Sequence, residues 1–201
     1  MGAAWSAACV HAHSYEDIAT AVHDGDLIFQ ESSSNQSEAV RAATNSEYSH
    51  MGMIFGAGTR HPVVLEAVQP VRETPLRAWI ERGRRNHYVI KRLRRSMSRE
   101  EVETLRRQAR RFLGRSYDSV FDWTDARIYC SELVWKAYDR ALHVQIGAPQ
   151  AWRDLDLDGT AVQRLIARRL GHDPNPDDLV ITPVRMMEST ELVEVLRGEM
   201  P

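Results

Sequence analysis

The sequence predicts an α+β domain, in which helices pack against a small antiparallel sheet. Three observations carry that prediction. Residues 50–55 (His-Met-Gly-Met-Ile-Phe) and 62–68 (Pro-Val-Val-Leu-Glu-Ala-Val) are apolar runs joined across Gly56-Ala57-Gly58, the pattern of two neighbouring strands. Leu133, Val134, Ala137, Tyr138, Ala141 and Leu142 recur at three- and four-residue steps, which places them on one face of a helix. Ser98 and Glu101 form a capping box ahead of Val102, Leu105, Ala109, Phe112 and Leu113, and Gly114 ends that second helix.

The remaining elements follow in chain order. Residues 14–23 read as a helix beginning at Ser14, 26–30 as a strand, 37–44 as a short helix and 87–93 as a strand. Asp158 is placed to cap a helix holding Val162, Leu165, Ile166 and Leu170. A turn-rich acidic connector over 171–178 leads to a strand at 179–182 and a final short element at 191–196. With no repeat or low-complexity tract, residues 1–201 are expected to form one domain, with 1–13 disordered ahead of it.

At 201 residues and 43% hydrophobic, the chain can bury a sizeable core without metals or disulfides. No run approaches the roughly 20 apolar residues that a membrane-spanning helix needs, so a soluble protein is expected, with its localisation, bacterial cytoplasm or periplasm, left open. The formal net charge of -2 conceals a polarised chain. Between residues 77 and 115 fourteen Lys or Arg face four Glu, which leaves +10 there and -12 elsewhere. Such a stretch suits an anionic surface, although Arg106, Arg107, Arg110 and Arg111 also fit the C-terminal half of an ordinary solvated helix. No specific nucleic-acid partner is expected.

Cys130 stands at the start of the helix over residues 130–142, where unpaired N–H groups and partial positive charge favour thiolate over thiol. On that helix alone, a small buried hydrophobe is the better explanation of the cysteine. His50 opens the first of the two paired strands. Glu66, flanked by Leu65 and Ala67 in the second, faces the opposite side from them and is costly there without a partner. If the strands pair as a hairpin, Glu66 can orient His50 and His50 can activate Cys130, although a core histidine and an edge glutamate fit the same spacing. Gln30, ending a strand, has an amide suited to an oxyanion or to backbone capping. Tyr48 and Tyr129 suit substrate positioning or a place in the core.

No metal or other cofactor is expected. Apart from His11 and His13, the eight histidines and two cysteines show no paired ligand spacing. Asp154, Asp156, Asp158 and Gly159 copy the opening of a calcium loop, but Leu165 stands where its bidentate glutamate belongs. Pairing Cys9 with Cys130 would consume the nucleophile, so a free thiol is expected at Cys130. Ser6-Ala7-Ala8-Cys9 resembles the end of a lipoprotein processing site without the preceding apolar stretch, and Met1-Gly2 with Ser6 fits a loose myristoylation pattern; a frayed start is the preferred reading.

Taken together, Gly25-Asp26-Leu27-Ile28-Phe29-Gln30, Tyr48-Ser49-His50-Met51-Gly52, Leu65-Glu66-Ala67 and Tyr129-Cys130-Ser131-Glu132-Leu133 resemble the YiiX-like permuted papain-fold cysteine amidases, relatives of the NlpC-type cell-wall peptidases. The histidine precedes the cysteine here, the order of the permuted group. The resemblance spans roughly residues 20–140 and implies Cys130 as nucleophile, His50 as base and Glu66 as orienting residue. It implies hydrolysis of an amide in a cell-wall peptide or N-acyl amino compound. A lipid thioesterase or acyltransferase and a non-catalytic binding module are the alternatives. Residues after about 145 carry no motif that matches.

Overall fold

Unbroken apolar runs, rather than strict alternation, mark the central strands, because helices cover the sheet on both faces. The computed structural model describes residues 11–33 and 35–201. Its first half comprises β1 (His11–Ala12), α1 (Tyr15–Ala21), β2 (Leu27–Gln30), α2 (Asn35–Thr44), β3 (His50–Phe55), β4 (Val63–Glu66), β5 (Arg72–Pro75), α3 (Leu76–Glu81) and β6 (His87–Leu93). There follow α4 (Arg99–Arg110), β7 (Ser116–Tyr117), β8 (Arg127–Ile128), α5 (Cys130–Leu142), β9 (Gln150–Ala151), α6 (Thr160–Arg169), β10 (Leu179–Val180), α7 (Pro183–Met187) and β11 (Leu192–Glu199).

Seven strands form the main sheet in the order β1-β11-β6-β2-β3-β4-β5. All its pairings are antiparallel except β1 with β11. On one face Phe29, Met51, Met53 and Leu65 pack against Leu105 of α4 and Leu133 and Ala137 of α5. On the other, Ile28, Ile54, Val64 and Ile90 meet Ile18 of α1 and Trp79 and Ile80 of α3. The predicted α+β arrangement therefore holds, with both sheet faces buried.

Local chemistry sets the helix starts. Ser98 Oγ accepts the Glu101 N–H at 3.2 Å and Glu101 Oε2 accepts the Ser98 N–H at 2.8 Å, completing the expected capping box on α4. At α6 the expectation fails: Gly159 is the cap residue, and the Asp158 N–H donates to Asp156 Oδ1 at 3.2 Å. Asp154 spends a carboxylate oxygen on the Ala151 N–H at 3.2 Å.

Two further expectations change. His11 and Ala12 pair with Gly198 and Glu199, so 11–13 belong to the fold rather than to a disordered start. Cys9 and the N-terminal processing patterns lie outside the described residues. The element expected at 191–196 is a strand reaching Glu199, its charged residues tolerated because much of it is only half-buried.

The basic run is divided among several surfaces. Arg92 turns inward to bind both oxygens of Asp26 at 2.7 Å. Arg84, Arg95 and Arg110 pair with Glu31, Glu101 and Glu73. Arg99, Arg107 and Arg111 stay exposed on and just beyond α4.

One glycine brings the functional strands together. The β3–β4 register sets Met53 opposite Leu65, and continuing it by one residue sets Gly52 opposite Glu66. A Cβ at Gly52 would lie 2.5 Å from Val64 Cγ1, 2.9 Å from Leu65 O and 3.3 Å from Glu66 Cβ. Gly52→Ala is therefore expected to cost about 1–3 kcal/mol through overpacking. It should also blunt Cys130 alkylation by shifting Glu66. An unchanged denaturation midpoint with full thiol reactivity would show that the strands have room.

Candidate active site

Cys130 is the first residue of α5, and Glu132 fixes that start by accepting the Tyr129 N–H at 3.3 Å. The carboxyl of Glu132 is itself buried. Burial raises it to about 7 against the opposing pull of Lys136, whose Nζ lies 2.6 Å from Oε1. Helix α5 abuts the end of β3, where the Met51 N–H and the Ser131 N–H both hydrogen-bond to the Cys130 sulfur. His50, the first residue of β3, also hydrogen-bonds to the thiol.

Glu66 is fully buried and completes the chain, with Oε2 2.6 Å from His50 Nε2. That leaves Nδ1 as the ring nitrogen for the thiol. Three further donors hold the carboxylate: Thr74 Oγ1 at 2.6 Å, Trp79 Nε1 at 2.9 Å and Arg82 Nη2 at 2.5 Å. Trp79 also stacks on the imidazole, with ring centroids 5.9 Å apart and planes inclined by 23°. The imidazole is thereby fixed in position and in tilt.

The electrostatics follow from this network. Burial opposes ionisation of Glu66, but His50, Arg82 and Thr74 outweigh it and hold the carboxyl at about 2. Burial likewise opposes charge on His50, yet the hydrogen bonds and charges of Cys130 and Glu66 push it up to about 9. For Cys130 burial raises the thiol, while His50 and then the N–H groups of Ser131 and Met51 bring it below its usual range. Both shifts act in the direction of a thiolate–imidazolium pair.

The other expected site residues fall elsewhere. Gln30 lies opposite His50 in the β2–β3 register, but it is 0% exposed, lies outside the cleft lining, and has no hydrogen-bond partner for its amide among the described residues. It packs against Gly83, where a Cβ would come within 2.2 Å of its Oε1, and so does not face substrate. Tyr48 stands apart from the cleft, its hydroxyl accepting from Arg197 at 2.6 Å. Tyr129 does line the cleft, but its hydroxyl accepts the Ile181 N–H at 3.0 Å and its ring packs edge-on to Phe121. It is a wall residue that fastens the 181 segment.

Cys130 is 5% exposed and forms the floor of a cleft of about 760 Å³. One arm runs between α2 and α6, lined by Val40, Ala43, Val162, Leu165 and Ile166, with Trp152 and Ile181 beside it. Tyr117 and Arg82 line the same cleft near the catalytic candidates. Sequence reading passed over Thr74, Trp79 and Arg82 because it assigned no element to β5 or α3. The i, i+3, i+4 spacing of Leu76, Trp79 and Ile80 was the available signal.

Known proteins resemble this chain over most of its length. The model of a family described as "Permuted papain-like amidase enzyme, YaeF/YiiX" matches residues 21–196. "Uncharacterized protein YiiX" of Escherichia coli strain K12 is 39% identical over 173 residues, which cover 86% of this chain and 85% of that protein. The crystal structure of a protein described as metalloprotein yiiX, from Escherichia coli O157:H7, matches with a TM-score of 0.83 at 40% identity, covering 89% of this chain and 98% of that one.

Proposed function

Because this chain belongs to the YaeF/YiiX family of permuted papain-like amidases, we propose that it hydrolyses N-acyl amino compounds through an acyl-thioester on Cys130. The apolar arm of the cleft carries this reading over a cell-wall peptide: aliphatic walls from α2 and α6 lead to the thiol, and they match an acyl chain better than a polar peptide.

In the proposed cycle the Cys130 thiolate attacks the amide carbonyl, forming a C–S bond. The oxyanion develops at the start of α5, whose first-turn N–H groups lack helical partners and can receive it. As the C–N bond breaks, His50 passes its proton to the leaving amine, and Glu66 keeps the ring in register. Water then attacks the thioester while His50 takes one of its protons. The C–S bond breaks, releasing a carboxylic acid and restoring the thiol.

The solved relative is described as a metalloprotein. Here no group of three His, Cys, Asp or Glu among the described residues is gathered to hold a metal ion. Glu66 already accepts four donors and His50 uses both ring nitrogens, so the donor set does not fit a metal and no step passes through one. No helix among the described residues is long and apolar enough to cross a membrane.

A lipid thioesterase is the second reading, favoured by the same apolar arm. One substrate series tests both. Among N-acylethanolamines, kcat/KM should rise roughly fourfold per added methylene until the arm is filled, as burial of about 0.8 kcal/mol per CH2 implies. Mass spectrometry should find the acyl group on Cys130. Equal turnover of acetyl and long-chain amides would remove the acyl-amide reading, and cleavage of long-chain esters or thioesters alone would favour the second.

A further inference from the structure

Among the described residues, Arg82 is the one cationic side chain that both touches the catalytic network and lines the cleft. It caps the C-terminal end of α3, and its side chain is 37% exposed. One guanidinium nitrogen binds Glu66 Oε2 at 2.5 Å, the same oxygen that lies 2.6 Å from His50 Nε2, so Arg82 Nη2 and His50 Nε2 are within about 5 Å of each other. Among the described residues Glu66 is the only protein partner hydrogen-bonded to its guanidinium. The rest of the five-donor fork remains available.

The cleft around it has a one-sided charge pattern. Among the described lining residues no Asp or Glu occurs, and Arg82 and Arg169 are the two arginines. A buried carboxylate beside the cleft would ordinarily repel an anionic ligand, but Glu66 is covered by its donors. The cleft therefore presents cationic, neutral polar and apolar groups, and no carboxylate among the described lining residues to pair with an ammonium.

Direction follows from the proton transfer. His50 protonates the leaving nitrogen, so that nitrogen must lie against the imidazole, while the acyl chain extends the other way between α2 and α6. Of the two arginines that line the cleft, Arg82 is the one tied to His50 through Glu66, so it is the cation placed to meet a charge that this nitrogen carries.

We infer that Arg82 is a specificity-determining residue that binds a carboxylate on the leaving amine, so that the substrates are N-acyl amino acids. This rests on the amide-hydrolase reading above and names its substrate class. The reaction is R–CO–NH–CHR′–COO⁻ plus water giving R–COO⁻ and the free amino acid: the C–N bond breaks, the nitrogen gains the proton held by His50, and water supplies the oxygen of the new carboxylate. The Arg82 guanidinium engages the substrate carboxylate through the donors that Glu66 does not use.

The test compares three dodecanoyl amides with the same chain: N-dodecanoylglycine, N-dodecanoylethanolamine and N-dodecanoyl-O-phosphoethanolamine. The wild-type protein should hydrolyse the glycine conjugate about 10- to 100-fold faster in kcat/KM than the neutral ethanolamide, the range expected of a charge-assisted hydrogen bond. Arg82→Met should bring that ratio close to one, and Arg82→Lys should retain part of it. The ratio is the readout because loosening Glu66 slows both substrates together. The wild-type ratio needs no variant, so misfolding of Arg82→Met leaves the test intact. Equal rates for glycine and ethanolamine conjugates would overturn the role of Arg82 while leaving the amide hydrolase standing. Preference for the phosphate would overturn the carboxylate assignment. Failure to cleave any of the three, with no acyl adduct on Cys130, would remove the hydrolase reading and this inference with it.

Discussion

Replacing His50 by Ala is expected to lower kcat/KM on N-acyl amides by about 10⁶-fold, the scale of loss when a nucleophile is deprived of its base. The reason is visible in the network: His50 supplies the largest of the influences that pull the Cys130 thiol below its usual range, and burial alone would push it up. Cys130 in the wild-type protein should therefore react with iodoacetamide at pH 6, and in His50→Ala that reaction should disappear. Hydrolysis should follow a bell-shaped pH profile. Its acid limb reports ionisation of the thiol, and its alkaline limb falls near pH 9, where His50 gives up the proton that the leaving amine needs. Alkylation of His50→Ala at pH 6 as fast as wild type would show that the imidazole does not create the thiolate.

Glu66→Gln should be the second most damaging change, slowing kcat/KM by about 10²- to 10⁴-fold, in line with the loss of an orienting carboxylate elsewhere. The carboxylate raises the proton affinity of His50, so its removal should move the alkaline limb of the pH profile below about 9. The thiol, facing a weaker cation, should ionise at higher pH. The window between the two limbs narrows from both sides. Stability falls as well. His50, Thr74, Trp79 and Arg82 all donate to Glu66, and an amide NH₂ would meet several of those donors with another donor, at about 1–3 kcal/mol for each buried group left unpaired. Denaturation midpoints and pH profiles of Glu66→Gln and Glu66→Asp check both effects. An alkaline limb that stays in place would mean that Glu66 does not govern His50.

The two variants separate because His50 acts on the thiol directly and Glu66 acts through His50. Arg82 stands one step further along, at the end of the chain that returns to the cleft. The chemistry is therefore spread over β3, β4, β5, α3 and α5, elements that no short stretch of sequence contains together.

What the sequence determined by itself is whatever near neighbours decide. Ser98 and Glu101 are three residues apart, so the start of α4 was legible, as was α5 from its apolar steps. Alternation within 65–67 placed Glu66 on the face opposite Leu65 and Ala67, and one turn joins its strand to that of His50, so their meeting could be anticipated. The order of histidine, glutamate and cysteine along the chain carried the family likeness. The tertiary structure alone decided the rest. Gln30 and Tyr48 have sequence neighbourhoods as suggestive as that of His50, yet one is buried against Gly83 and the other is held by Arg197 from the far end of the chain. The cleft needs α2 and α6 side by side, two ordinary amphipathic helices more than a hundred residues apart in sequence whose spacing says nothing of what they face. The cradle of Thr74, Trp79 and Arg82 exists because a buried carboxylate must collect its donors from whichever elements pack around it, and that packing is set by burial across the whole molecule rather than by residue order.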